Sequence, residues 1–122
     1  MQLTLTSTVH GDIRPELRAY VEEKIGTLGK YLDLSSDSTQ ILVELGKGHK
    51  SERNADDLFY AEIRVRAPGI DQYVTAKRAD ERSAFDEARA EMAKVLGKAK
   101  DKNVSLMRRG RNALRKMFAF EK

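Results

Sequence analysis

Between Phe59 and Ala67 the chain alternates with a period of two. Phe59, Ala61, Ile63, Val65 and Ala67 are apolar, and Tyr60, Glu62, Arg64 and Arg66 separate them. Successive side chains of a strand point to opposite faces, so this is a strand buried on one face only. A sheet made of such strands must be covered by helices on its apolar face and left wet on the other. The neighbouring segments repeat the pattern. Ile41, Val43 and Leu45 share one face of a strand, Val74 and Ala76 share one face of another, and Leu and Thr alternate from Gln2 to Thr8. The wet face then carries Thr4, Thr6, Glu44, Glu62, Arg64, Arg66, Tyr73 and Lys77.

Two segments have the helical period that such a sheet needs. From Pro15, tolerated at the first helical position, Leu17, Val21, Ile25, Leu28 and Leu32 form a stripe, with Tyr20 and Tyr31 beside it as expected caps of the core. Gly26 and Gly29 weaken the second half of that helix. From Asp80 to Lys102, Phe85, Ala88, Met92, Leu96 and Ala99 recur at spacings of three and four, which places them on one stripe. Asp80 occupies the N-cap position and Lys94, Lys98, Lys100 and Lys102 load the far end, an order the helix dipole favours. Turns or loops are expected at His10-Gly11-Asp12, Asp33 to Ser38, Gly46 to Asp57 and Pro68-Gly69. The predicted class is α+β, in the order β-α-β-β-β-α. It is a four-stranded mixed sheet with both helices on one face, a parallel first pair joined by a right-handed crossover, and antiparallel hairpins after it.

A length of 122 residues suits one domain with a modest core. There is no cysteine, hence no disulfide framework and no thiolate chemistry. No apolar run reaches the length of a membrane span and no signal peptide is recognisable, so a cytoplasmic protein with no membrane partner is expected. The net charge of +4 is unevenly spread. Residues 1–60 carry a balance of −3 and residues 61–122 one of +7, and Asp101 is the one acidic residue between Lys94 and Lys116 against nine basic ones. A solvated lysine-rich helix end would explain Lys94 to Lys102. It explains Arg108-Arg109-Gly110-Arg111 less well, because that run has no acidic neighbours, and the cluster as a whole has the footprint of a polyanion partner.

Chemistry is poorly served by comparison. His10 and His49 lie far apart in expected loops, without a second ligand or carboxylate at a useful spacing, so no metal and no general base is expected. The glycines at 46, 48 and 69 match no phosphate-loop pattern, and no cofactor or small-molecule substrate is expected. A phosphate-ester hydrolase on a similar sheet would need an arginine-lined anion loop with a positioned nucleophile, and neither is evident. Tyr60 and Tyr73, both outward, are read as a cross-strand surface pair rather than as a base-stacking platform.

Leu17-Arg18-Ala19-Tyr20-Val21, followed by Lys24, Leu28 and Tyr31-Leu32-Asp33, resembles the first helix of the bacterial ribosome hibernation factors, the family of hibernation-promoting factor and ribosome-associated inhibitor A (protein Y). Ser83-Ala84-Phe85-Asp86-Glu87-Ala88 resembles the opening of their second helix, and Lys98-Ala99-Lys100-Asp101-Lys102 its basic ending. The resemblance covers residues 1–103 as a hibernation-factor domain and leaves 104–122 as a basic C-terminal tail. It implies a non-enzymatic protein, monomeric off the ribosome, whose partner is the small ribosomal subunit with its 16S rRNA and ribosomal proteins. There it would occupy the channel for mRNA and the A- and P-site tRNAs and inhibit translation in stress or stationary phase. The expected rRNA-binding residues are Lys24, Arg82, Arg89, Lys94, Lys98, Lys100 and Lys102, with tail contacts at Arg108, Arg109, Arg111 and Arg115. Thr27 and Glu91 stand where relatives often have lysine, and Arg82 where they have an aromatic residue. Long members carry a further dimerising domain, so a short-type factor is expected. The alternative is a general double-stranded-RNA-binding module, which shares an α-β-β-β-α core; its basic cluster opens the last helix, whereas here lysines crowd the end. For the tail, a short amphipathic helix after Gly110 and a flexible terminus are both open.

Overall fold

The computed structural model describes residues 1–8, 13–48 and 59–119, with side chains through residue 101. Its elements are β1 (Gln2–Ser7), α1 (Pro15–Gly26), β2 (Gln40–Lys47), β3 (Phe59–Ala67), β4 (Ile70–Arg78) and α2 (Glu81–Ala119), in the predicted order. The sheet order is β1-β2-β3-β4. β1 runs parallel to β2, while β2–β3 and β3–β4 are antiparallel.

The period-two pattern sets which face is covered. Ile41, Val43, Leu45, Ala61, Ile63, Val65, Val74 and Ala76 are all buried and form one core with the helix stripes. α1 contributes Leu17, Val21 and Ile25, followed by Leu28 and Leu32. α2 contributes Phe85, Ala88, Met92 and Leu96, and also Ala84, which the stripe omitted. Both helices therefore pack on one sheet face, as predicted. On β1, the edge strand, Leu3 and Leu5 are only partly buried.

Three boundaries differ from those expected. α1 ends at Gly26 and the chain tightens into a 3-10 turn over Thr27–Lys30, which keeps Leu28 in the core. The Thr27 hydroxyl donates to the Lys24 carbonyl at 2.6 Å, a second bond to an oxygen that the Thr27 backbone N–H also reaches. Gly46 and Lys47 belong to β2 rather than to a loop, pairing with Tyr60 and Phe59. A Cβ on Gly46 would run into the Tyr60 ring and the Thr8 hydroxyl, so the strand admits only glycine there without rearrangement. The third difference is the length of α2. It does not end near Lys102 but continues to Ala119 as one 39-residue helix. Neither Asn103 nor Gly110 stops it, because a single interior glycine costs only about 1 kcal/mol and no proline follows.

The Pro68-Gly69 turn is as expected: Ala67 pairs directly with Ile70, and Gly69 takes φ +76°, which proline at the preceding position sets up. His10, His49, the His10-Gly11-Asp12 turn and most of the 46–57 loop lie outside the described residues, as do the side chains of Lys102, Arg108, Arg109, Arg111 and Arg115.

Candidate nucleic-acid interface

The basic residues that the sequence singles out fall into two groups on the helical layer. Arg82, Arg89 and Lys100 are separated by seven and eleven residues. At 3.6 residues per turn these are nearly whole turns, so the three line one side of α2. That side faces α1. Lys94 and Lys98, roughly 120–180° further round and so towards the opposite side of α2, are exposed and have no ion-pair partner among the described residues.

Tyr20 of α1 is the hub of the first group. Its ring packs edge-on against Phe85, with centroids 6.2 Å apart at 72°, and its hydroxyl donates to the Asp86 carboxylate. The Arg82 guanidinium lies 3.8 Å above the ring centroid, and Lys24 Nζ, one turn along α1, lies 5.6 Å from it. Two cations from different helices thus share one aromatic ring, an arrangement its quadrupole favours. The Tyr20 oxygen beside Arg82, ahead of the Asp86 and Asp80 charges, raises the guanidinium's pKa.

Further along the seam, Arg89 Nη1 donates to the Thr27 hydroxyl at 3.3 Å, while Arg89 Nε is buried without a partner. Thr27 therefore both closes α1 and aims Arg89. At the far end, Lys100 Nζ donates to the Lys30 carbonyl at 3.0 Å. Gly97 lies beside the Tyr31 ring there, where a Cβ would make an ordinary contact at 3.4 Å.

α2 itself is pinned at its start. Asp80 Oδ1 accepts the Ser83 backbone N–H at 2.8 Å and Oδ2 accepts the Ser83 hydroxyl at 2.9 Å, which is N-cap geometry. The Ser83 N–H and hydroxyl hold the Asp80 carboxyl below the ordinary aspartate range. Arg78 pairs with Glu87 at 2.5 Å, so the basic start of a double-stranded-RNA-binding helix is here partly neutralised by the chain's own carboxylate.

Sequence reasoning left out the role of Tyr20, which it assigned to capping the core. The signal was present, because Tyr20 and Lys24 are four apart on one helix and such pairs meet. That Arg82 would reach the same ring could not be read without the packing of α1 on α2. Tyr60 and Tyr73 are not the expected cross-strand pair. Tyr60 lies opposite Lys77 and Tyr73 opposite Arg64, with the Glu62–Thr75 row between them. Among the described residues no three His, Asp or Glu side chains group to hold a metal, and no helix is long and apolar enough to cross a membrane.

Comparison with known proteins gives a consistent result. Residues 5–104 match the family model described as Sigma 54 modulation protein / S30EA ribosomal protein. A ribosome hibernation promoting factor of Acidithiobacillus ferridurans is 38% identical over 69 residues, 57% of this chain and 78% of that protein. The N-terminal domain of protein Y from Thermus thermophilus superposes with a TM-score of 0.62 at 27% identity, over 79% of this chain and 96% of that one. A ribosomal subunit interface protein from Coxiella burnetii shares the fold, with a TM-score of 0.61 at 22% identity, over 83% of this chain and 99% of that one.

Proposed function

The chain belongs to the Sigma 54 modulation protein / S30EA ribosomal protein family, and from that membership we propose that it is a ribosome hibernation factor acting on the small subunit. Its helical layer lies against 16S rRNA in the channel for mRNA and the A- and P-site tRNAs, and translation stops because those ligands are excluded. No bond is made or broken. The proposed contacts are Lys24, Arg82, Arg89 and Lys100 along the helix seam, Lys94 and Lys98 on the outer side of α2, and Lys102 with the arginines of the 104–122 tail beyond. The protein acts as a monomer off the ribosome.

One observation supports this reading above the others: cations from both helices gather along the single seam between α1 and α2. Lysine and arginine on a rigid surface neutralise phosphates without reading bases, which suits a partner recognised by the shape of folded RNA. Fixing Arg82 and Lys24 on Tyr20 reduces the side-chain freedom they lose on binding.

The test is co-sedimentation with isolated small subunits in sucrose gradients. The triple variant Lys94→Glu, Lys98→Glu, Lys100→Glu is expected to remain folded, with its affinity at least tenfold weaker, and to leave cell-free translation uninhibited. Equal binding by wild type and variant at physiological salt would remove these residues from the site. Equal affinity of the wild type for plain duplex RNA and for whole subunits would favour the general RNA-binding module instead.

A further inference from the structure

The sheet face turned away from the helices is open, and it differs in chemistry from the helical layer. The strand register arranges it in rows. One row runs Thr4, Leu42, Arg64, Tyr73 and the next Thr6, Glu44, Glu62, Thr75. Leu42 and Tyr73 are 42% and 55% exposed, two of the three large hydrophobic residues so exposed among the described residues. Both line the same shallow depression of about 240 Å³, together with Thr4 and Thr6 of the edge strand. That volume is below the usual range for small-molecule sites and suits a single inserted side chain.

Glu44 and Glu62 sit directly opposite each other at the depression, an arrangement that destabilises an antiparallel pair when both are charged. Arg64 does not relieve it, and the contacts the pair does have come from the Tyr60 hydroxyl, which donates to Glu44, and the Tyr73 hydroxyl, which donates to Glu62. The Arg64 guanidinium is turned to Asp71 of β4, with Nε and Nη2 each 3.1 Å from a carboxylate oxygen, and Arg66 approaches the same carboxylate at 3.8 Å. The sheet therefore presents a carboxyl pair next to exposed apolar and aromatic surface. Contact with Glu62, together with its charge, pushes the Glu44 carboxyl above the ordinary glutamate range.

We propose that this sheet face is a docking surface for an arginine-bearing segment of a partner protein, one arginine entering the depression with its stem along Leu42 and Tyr73 and its guanidinium on Glu44 and Glu62. Arginine answers each feature. Its aliphatic stem covers apolar surface and its planar fork bridges carboxylates, while the Tyr73 ring adds a cation–π face. Charge at the depression itself, on a face that also carries Arg64, Arg66 and Lys77, disfavours the other occupants. RNA would bring phosphates onto the carboxyl pair, and the two tyrosines are a row apart with those carboxyls between them. A second copy docked about a two-fold axis at the depression would set four carboxylates together. The inference is independent of ribosome binding, which uses the opposite layer.

Nuclear magnetic resonance titration of the full chain with a nona-arginine peptide tests it. The amides of Leu42, Glu44, Glu62 and Tyr73 are expected to shift. Affinity should fall at least tenfold in Glu44→Gln/Glu62→Gln and stay within twofold in Glu22→Gln/Glu23→Gln, which removes the same charge from the exposed side of α1. A single-stranded 20-mer RNA is expected to shift helix resonances and leave these four in place. The proposal is overturned if the peptide leaves the four amides unmoved, if both double variants lose affinity equally, or if RNA moves the sheet residues as the peptide does.

Discussion

Asp80 shows how much one side chain does for α2. It accepts two hydrogen bonds from Ser83 and caps the helix that carries 11 of the chain's 23 basic residues. Replacement by alanine is expected to cost about 1 kcal/mol in urea unfolding. Because its folded pKa is depressed, that stabilisation is complete above the unfolded aspartate value and disappears as pH falls through the folded one. The wild type and Asp80→Ala curves should therefore converge in acid. Glu44 behaves in the opposite sense. Its folded pKa is raised, so its contribution is most favourable below the unfolded glutamate value and is lost as pH rises through the folded one. Glu44→Gln is expected to stabilise the free protein at neutral pH by about 0.5 kcal/mol, with the gain vanishing in acid. Gly46→Ala should destabilise by about 1–3 kcal/mol, since Tyr60 and Thr8 occupy the space its methyl needs; a shift in melting temperature checks it.

At the scale of elements, α2 divides into a packed and an extended part. A helix of 39 residues spans about 58 Å, while a strand of nine residues spans about 30 Å, so the sheet cannot cover it all. Among the described residues, those that α2 buries in the core lie at or before Leu96, and Lys100 makes the last seam contact described. Truncation after Asp101 is accordingly expected to leave the unfolding free energy within about 1 kcal/mol of wild type, because no described core side chain is removed. A larger loss in chemical denaturation would show that residues beyond 101 pack on the domain. α1 is shorter than its apolar stripe implied. Leu28 and Leu32 recur at helical spacing, but glycines at 26 and 29 hold the backbone weakly, and a tighter 3-10 turn brings Leu28 inward at a lower conformational cost.

The whole molecule has two unlike faces. Cations collect on the helices and along their seam, whereas the open sheet places a carboxyl pair at its centre. Binding to a small subunit through the helical layer should then depend strongly on salt. For about four phosphate contacts, a rise from 50 to 200 mM weakens affinity roughly 50- to 150-fold, between the single-strand and duplex limits. Glu44→Gln, on the opposite face, should leave that slope unchanged.

The strand pattern and the helix stripes were legible because burial on one face imposes a period on the chain, and the four strands, their order and their inward residues follow from it. The Asp80 cap, the Pro68-Gly69 turn and the excess of basic residues in the second half were local signals of the same kind. Whether cations meet is not a periodic property. Tyr20 joins Lys24 to Arg82 across a sequence gap that no local rule spans, and Tyr60 stands apart from Tyr73 because one register, among those the alternation permits, is selected by packing of the whole sheet. Alternation determined which side chains are wet; only the tertiary structure decided which of them are neighbours, because adjacency between elements depends on how the entire core closes.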